Sequence, residues 1–365
     1  MFLSYLQLTN FRSYENLELE LKNGITTFVG SNGEGKTNII EAVGFLAYLR
    51  SHRTSSDNPL IKLGNEKAYI RAKVSAAGRE ELLEVEINQG RANRARINQQ
   101  PVRSTRELLG HLRAVLFTPE DLSLVKGDPT ERRDYLDTLL ISRTPRYAGV
   151  IADYEKALKQ RNVLLKNRPH DRDLAPWDEH IASYGAQLIS ARLQLIDDLM
   201  PYVVDSYRSI SEGDEISAIY KSAQELRSRE SADLEREISE LIPNLRRAEL
   251  ERGVTLVGPH RDDLLLTLGP TPVKGYASQG ESWSYALALR MGAYQLLSAE
   301  GLGESGQPIL ILDDVFAELD SLRRGALLSL IHSSEQVLVT AAVEEDLPKD
   351  FGDSRYYVRE GSVRG

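Results

Sequence analysis

The chain contains no cysteine, which excludes disulfide frameworks, thiol nucleophiles and cysteine-ligated zinc or iron–sulfur sites. No apolar run approaches the ~20 residues that span a bilayer, so a membrane-spanning helix is not expected. The opening MFLSYLQLTNFRSYEN lacks a basic segment followed by an apolar run. No secretory signal is expected, and the cytoplasm is the expected compartment. The six histidines (His52, His111, His170, His180, His260 and His332) show neither H-x-x-x-H nor H-E-x-x-H spacing, which argues against a histidine-bound metal. No G-x-S-x-G marks a serine nucleophile. Basic charge is also short: 45 Lys and Arg face 54 Asp and Glu, a net charge of −9 over 365 residues. A basic face is the usual electrostatic mark of nucleic-acid binding, so any such role would have to rest on a local patch.

With 41 % hydrophobic and 27 % charged residues, the composition is that of a globular protein, in one large domain or two to three smaller ones. Near the start, Leu17, Leu19 and Leu21 alternate with Glu18 and Glu20, the period-2 pattern of a half-buried strand. The same alternation in Ile70, Ala72 and Val74 and in Leu83, Val85 and Ile87 predicts two antiparallel strands. From about 130 to 252 the spacing turns helical, with Pro176, Pro201 and Pro243 expected at helix boundaries. No heptad pattern is sustained, so no long coiled coil is expected. Strand signals return at Val254–Val257, Leu264–Leu268, Pro308–Leu312 and Gln336–Thr340. Arg168–Asp173 and Gly301–Gln307 read as linkers.

Gly30-Ser31-Asn32-Gly33-Glu34-Gly35-Lys36-Thr37 fits G-x-x-x-x-G-K-[ST] at every required position. An apolar strand (Ile25–Val29) precedes it, and a helix with Ile39, Val43 and Leu46 on one face follows. In such a loop, glycines let backbone N–H groups curl around phosphate oxygens, and the helix N-terminus adds partial positive charge. Lys36 is expected to reach the β- and γ-phosphates, and Thr37 to ligate Mg²⁺. A second half-site is Pro308–Leu312 followed by Asp313 and Asp314, an apolar strand ending in carboxylates. Asp313 is expected on the magnesium side and Asp314 beside the attacking water.

Ala277-Ser278-Gln279-Gly280-Glu281 precedes a helical run from Ser284 to Leu297 and stands shortly before the acid strand. By itself it is an ordinary helix N-cap with Glu in the first turn. Its position in the order phosphate loop, signature, acid strand gives it a second reading. It resembles the L-S-G-G-Q/E signature of ABC-type ATPases, which grips the γ-phosphate of ATP held by another subunit. Glu318-Leu319-Asp320 then resembles their D-loop. Arg91, Arg94, Arg96, Arg103 and Arg106 form a stretch free of acids until Glu107. It reads either as a phosphate-contacting patch or as a solvated hairpin whose arginines pair with surface acids. Arg53 reads as a nucleotide or DNA contact, or as a cap on the helix ending near Arg50.

Further segments extend the resemblance: Leu6–Tyr14, Ser51-His52-Arg53-Thr54, Phe117–Leu122, Arg132–Asp137, Gly258–Asp263 and Asp313–Asp320. Across residues 3–320 the chain is similar to the RecF family, SMC-like members of the ABC ATPase superfamily. That resemblance implies an α/β ABC/SMC-type ATPase head, a P-loop NTPase with a helix-rich second lobe. Lobe I would comprise 1–118 and 300–365 with the returning strands at about 253–275. Lobe II would comprise about 119–252 with the signature region 276–299. Arg12 and Asn38 would join residues 30–37 in holding ATP with Mg²⁺, and Ser278, Gln279, Gly280 and Glu281 would act in trans.

The implied function is an ATP-dependent DNA-binding protein of replication and recombinational repair, linked to DNA damage and the SOS response. ATP would drive homodimerisation, weak hydrolysis would reset it, and the protein would help load recombinase at gapped or stalled DNA. Implied partners are duplex DNA and single/double-strand junctions, with Arg53, Arg91, Arg94 and Arg96 as contact candidates, and RecR and RecO. The alternative is an ABC-type ATPase driving a protein or membrane partner. Three departures from ABC ATPases point to slow hydrolysis. No Gln stands near Val115–Glu120, Ala341-Ala342 replaces a His after the last core strand, and Asp314 is shorter than the usual Glu.

Overall fold

In the computed structural model, which describes residues 1–76, 78–167, 170–211, 215–301, 306–348 and 351–365, the chain forms fifteen strands and eight α-helices among those residues. In order, β1 (Phe2–Phe11), β2 (Tyr14–Glu20) and β3 (Gly24–Val29) lead into α1 (Lys36–Tyr48). Next come β4 (Lys67–Ala76), β5 (Arg79–Asn88), β6 (Arg94–Ile97), β7 (Gln100–Pro101) and β8 (Ala114–Phe117). A helical stretch holds α2 (Leu122–Lys126), α3 (Pro129–Arg143), α4 (Tyr147–Lys166) and α5 (Asp171–Ile210). It is followed by β9 (Ile216–Lys221), α6 (Ser231–Arg252), β10 (Asp263–Leu268) and β11 (Thr271–Pro272). The chain ends with α7 (Gln279–Gly301), β12 (Ile309–Asp313), α8 (Ser321–His332), β13 (Gln336–Ala341), β14 (Ser354–Arg359) and β15 (Ser362–Arg364).

Two compact units result, one of Met1–Asp121, Asp205–Glu212 and Ser284–Gly365, the other of Leu122–Val204 and Gly213–Trp283. The first holds two six-stranded sheets, β2-β1-β4-β5-β6-β7 and β15-β14-β3-β13-β12-β8. The second sheet is parallel through β14, β3, β13, β12 and β8. Parallel strands covered on both faces read as unbroken apolar runs, and Ile309–Leu312 and Val337–Val339 are fully buried. Helix α1 is buried without a break from Ile39 to Ala47, and one apolar cluster joins it to residues of both sheets. A helix apolar on nearly all sides belongs in the middle of a core. That position fixes the phosphate loop at its N-terminus.

The second unit is built on helices α4, α5 and α6, whose seam includes Tyr154, Ile181, Ala186, Ile189, Leu234, Ile238 and Ile242. Arg161, fully buried, bridges Asp178 at 2.8 Å and the equally buried Glu249 at 2.6 Å. Removing one partner of such a network leaves an uncompensated buried charge, at a cost of about 3–5 kcal/mol. The segments 132–137 and 258–263 meet here. Arg132 holds Asp263 through two hydrogen bonds, Arg192 holds Asp137 in the same way, and buried Asp262 accepts from Tyr220, Ser222 and the Ala223 amide. His260, beside Tyr154 Oη at 2.6 Å, is pushed down to about 4 by burial, which makes it a neutral structural group.

Several sequence expectations are corrected. The returning strands do not rejoin the first unit: β10 pairs antiparallel with β9 and β11 in a three-stranded sheet of the second unit. Residues 284–299 group with the first unit instead. Val254–Val257 is not a strand, because it has no pairing partner, although its side chains from Thr255 on are buried. Pro176, Pro201 and Pro243 stand inside α5 and α6 rather than at their ends. All three are exposed, so water can satisfy the carbonyl that each proline deprives of its helical donor. Of the two linkers, 168–169 and 302–305 lie outside the described residues, and α5 already begins at Asp171.

Candidate nucleotide site

The phosphate loop leaves β3 at Val29 and enters α1 at Lys36. Gly35 holds φ +115°, where an L side chain is strained, and an added Cβ would meet Tyr14. At Gly30 a Cβ would run into the Val358 carbonyl. The loop is tied down on both flanks: the Gly30 amide donates to Ala341 O at 3.2 Å, and the Glu360 amide to the Glu34 carboxylate. Ser31, Asn32 and Gly33 remain exposed, as a ligand-facing turn requires.

A cavity of about 660 Å³ opens beside the loop, within the size range of small-ligand sites. It is lined by Arg12, Ser13, Asn32, Gly33, Gly35, Lys36, Thr37, Asn38, Arg53 and Asp314, together with Asn58, Pro59, Ile61 and Leu63. Lys36 Nζ, almost fully buried, donates to Ser31 O at 3.3 Å and stands 4.0 Å from Asp314 Oδ2. Thr37 Oγ1 donates to Asp313 Oδ1 at 3.1 Å. Residues far apart in sequence but paired in the expectation are therefore brought together. Burial pushes the Asp313 carboxyl up to about 6 and the neighbouring Asp314 charge adds to this, against the bonds from Thr340 and Thr37. Asp314 is also raised by burial, with Lys36 opposing, and its buried Oδ1 has no hydrogen-bond partner among the described residues.

Arg12 and Arg53 owe their positions to an acid that sequence reasoning missed. Glu41 on α1 is fully buried, takes two hydrogen bonds from Arg12 (2.8 and 2.6 Å), and lies 3.6 Å from Arg53. Arg53 also donates to Asn38 Oδ1 at 3.1 Å, and Asn38 donates to Ser13 Oγ at 3.0 Å. Arg53 is therefore not a cap: α1 ends at Tyr48, and its closing turn is made by Leu49. The signal available was a lone acid in the otherwise apolar run Ile39–Leu46. His52, whose sequence spacing marks no metal ligand, lies with Nε2 3.9 Å from Asp313 Oδ2.

In the second unit, Ser278 and Glu281 form a reciprocal capping box at the start of α7. The Ser278 amide donates to Glu281 Oε2 at 2.7 Å, and the Glu281 amide to Ser278 Oγ at 3.2 Å. These bonds hold the Glu281 carboxyl below its usual range. Gln279 accepts from Lys126, and Gly280 follows in the first turn. Asp320 caps α8, accepting the Arg323 amide at 3.0 Å. Both motifs thus perform the structural role that their residue types allow at helix N-termini, with Ser278, Gln279 and Asp320 exposed and Glu281 half-buried.

Arg91, Arg94 and Arg96 are exposed, but they do not form a purely basic surface. In register, Arg94 faces Glu86 and Arg96 faces Glu84 across β5–β6, and those glutamates already pair with Lys67 and Arg71 at 2.9 Å. Arg94, Arg96 and Arg103 line a cavity of about 800 Å³ together with Glu84, Glu86 and Tyr69.

The model of the RecF/RecN/SMC N-terminal domain matches residues 2–359. A DNA replication and repair protein RecF of Streptomyces avermitilis is 51 % identical over 374 residues, covering 100 % of this chain and 99 % of that protein. A solved structure of the recombination mediator protein RecF-ATPrS in the RecFOR pathway superposes with a TM-score of 0.91 at 29 % identity, covering 99 % of this chain and 97 % of the other. One of RecF-ATP gives 0.89 at 29 % identity, covering 100 % and 98 %. On the strength of its phosphate loop, its acid strand and these full-length matches, the chain belongs to the RecF family of SMC-like, ABC-type ATPases.

Proposed function

We propose that this protein is an ATP-dependent DNA-binding protein of replication and recombinational repair, in which ATP binding closes two heads into a dimer and slow hydrolysis reopens it. The observation that carries the reading is the meeting of Thr37 with Asp313 and of Lys36 with Asp314 at one glycine-rich loop, in a chain half-identical to proteins named for DNA replication and repair. The pairing of the Thr37 hydroxyl with the Asp313 carboxylate suits a hard cation such as Mg²⁺, which takes oxygen donors and binds together with phosphates. When bound, Mg²⁺ would neutralise charge on the β- and γ-phosphate oxygens.

The chain's own groups divide the remaining work. Backbone amides of residues 30–37 and the α1 N-terminus cradle phosphate oxygens, and Lys36 supplies a cation to the β- and γ-phosphates. Arg12, Asn38 and Arg53 line the same cavity. Asp314 accepts the proton of the water that attacks the γ-phosphorus as the bond to ADP breaks. Ser278, Gln279, Gly280 and Glu281 complete the site on the opposite protomer, and Asp320 acts as the D-loop residue. Slow turnover follows from the short base Asp314 and the missing Gln and His. Arg53, Arg91, Arg94 and Arg96 are the candidate DNA phosphate contacts. Duplex DNA, single/double-strand junctions, RecR and RecO are the partners, in a cytoplasmic role within the SOS response that loads recombinase at gaps. A membrane-driving role has less support: no Gln stands near Val115–Glu120, Ala341-Ala342 stands where such ATPases carry a His, and the full-length relatives are named for DNA replication and repair.

The test is Ser278→Arg. The side chain is exposed at a helix start, so the monomer should fold and bind ATP within about twofold of wild type. The ATP-induced dimer, followed by light scattering, should be lost together with hydrolysis. A variant that loses ATP binding as a monomer would place these residues in cis and overturn the trans arrangement.

A further inference from the structure

Strand β13 is apolar except for Gln336 at its start and Thr340 near its end, and Thr340 is 1 % exposed. The register of the parallel pair β12–β13 sets Thr340 directly beside Asp313. The Thr340 hydroxyl makes two bonds there. It accepts the Asp314 amide proton at 2.9 Å, and it lies 2.6 Å from Asp313 Oδ1. An amide can only donate, so the hydroxyl's single proton is directed at the Asp313 carboxylate. Asp313 Oδ1 thus receives two hydroxyls, from Thr340 and Thr37, which fixes the carboxylate plane. Oδ2 makes no hydrogen bond among the described residues and faces His52 Nε2 at 3.9 Å.

The second bond acts on the next residue. Asp314 has φ +50°, a left-handed conformation uncommon for a side-chain-bearing residue, and its amide is held by the Thr340 hydroxyl. A single buried side chain therefore sets the carboxylate orientation at 313 and the backbone turn that carries the carboxylate at 314.

We infer that Thr340 is a positioning residue for the nucleotide site, orienting the Asp313 carboxylate for Mg²⁺ and pinning the backbone turn at Asp314. This rests on the reading of Thr37 and Asp313 as the magnesium side of the ATP site. Groups that orient a metal-ligating side chain typically change metal affinity by 10–100-fold when removed. A hydroxyl that merely filled space would be replaced by a methyl without such an effect.

The experiment titrates the full-length chain with a fluorescent ATP analogue, in EDTA and across a magnesium series, for wild type, Thr340→Val and Thr340→Ser. Thr340→Val should bind the analogue in EDTA within about twofold of wild type, while its magnesium midpoint rises roughly 10–100-fold. Thr340→Ser, which keeps the hydroxyl, should bring the midpoint back to within a few-fold. Thermal unfolding confirms that each variant is folded, and Thr340→Ala takes the place of the valine variant if that one does not fold. A wild-type magnesium midpoint in the hydroxyl-free variant overturns the assignment. So does equal loss of binding with and without magnesium, which would mean that Thr340 supports the loop rather than the carboxylate. If the wild-type chain itself binds no nucleotide in either condition, the ATP-site reading fails, and the Thr340 assignment falls with it.

Discussion

Asp314→Asn should give a chain that binds ATP and closes into a dimer but barely turns over. The expected loss in hydrolysis is about 10²–10⁴-fold, the range for removing a general base. The substitution is mild structurally. Asparagine is among the side chains that best tolerate the left-handed backbone found here, φ +50° at Asp314, and it keeps the amide that Thr340 holds. What it removes is the carboxylate, which lines the cavity and whose Oδ2 faces Lys36 at 4.0 Å. Magnesium and ATP retain Thr37, Asp313 and Lys36, so a long-lived ATP dimer should accumulate. Single-turnover hydrolysis together with dimer lifetime measures both halves of this expectation. Wild-type turnover in the variant would show that a different group positions the water.

Lys36→Ala should act one step earlier and remove the ATP response altogether. The Lys36 side chain is almost fully buried, its ammonium held between the Ser31 carbonyl and the Asp314 carboxylate. Its loss leaves phosphate oxygens facing backbone dipoles alone, with Asp314 uncompensated nearby. Charge-assisted hydrogen bonds contribute about 1.5–3 kcal/mol each, so two such bonds to the β- and γ-phosphates correspond to a fall in ATP affinity of roughly 10² or more. Dimerisation and hydrolysis should fall with it. Unchanged nucleotide affinity by calorimetry would remove Lys36 from the site.

The parts legible in the sequence were those that local chemistry dictates. The loop 30–37 has few ways to arrange its glycines between an apolar strand and an apolar helix, and the acid strand Pro308–Asp314 has the unbroken apolar run of a covered parallel strand. The parts that were not legible depend on register and on distant packing. Glu41 is one acid in an apolar helix, and its partners Arg12 and Arg53 come from either side of α1 in sequence. Thr340 looks like an ordinary β-former until strand pairing puts it beside Asp313. The prolines of α5 and α6 mislead because a proline on a solvent-facing helix position is tolerated when packing on the opposite face holds the helix. Strand β9 hides in the helical stretch because six residues suffice to pair with β10. The arginines at 91–106 leave two readings open in one dimension, a phosphate-contacting patch or a hairpin paired with acids, and only the pairing of β6 with β5 reveals glutamates opposite Arg94 and Arg96.

That last finding sharpens the question of how an acidic chain holds DNA. A monomer of net charge −9, with arginines 94 and 96 facing glutamates, should grip a polyanion weakly. Two copies joined by ATP would present the same contacts twice, and linked sites gain through effective concentration without new bonds. The most direct test of the account is the affinity of the wild-type chain for duplex, single-stranded and gapped DNA over a salt series, with and without ATP and magnesium. ATP should tighten binding to duplex and gapped DNA, and it should steepen the salt dependence by about 0.9 for each added phosphate contact. Equal affinity and equal salt slope with and without ATP, under conditions where the ATP dimer is present, would contradict it.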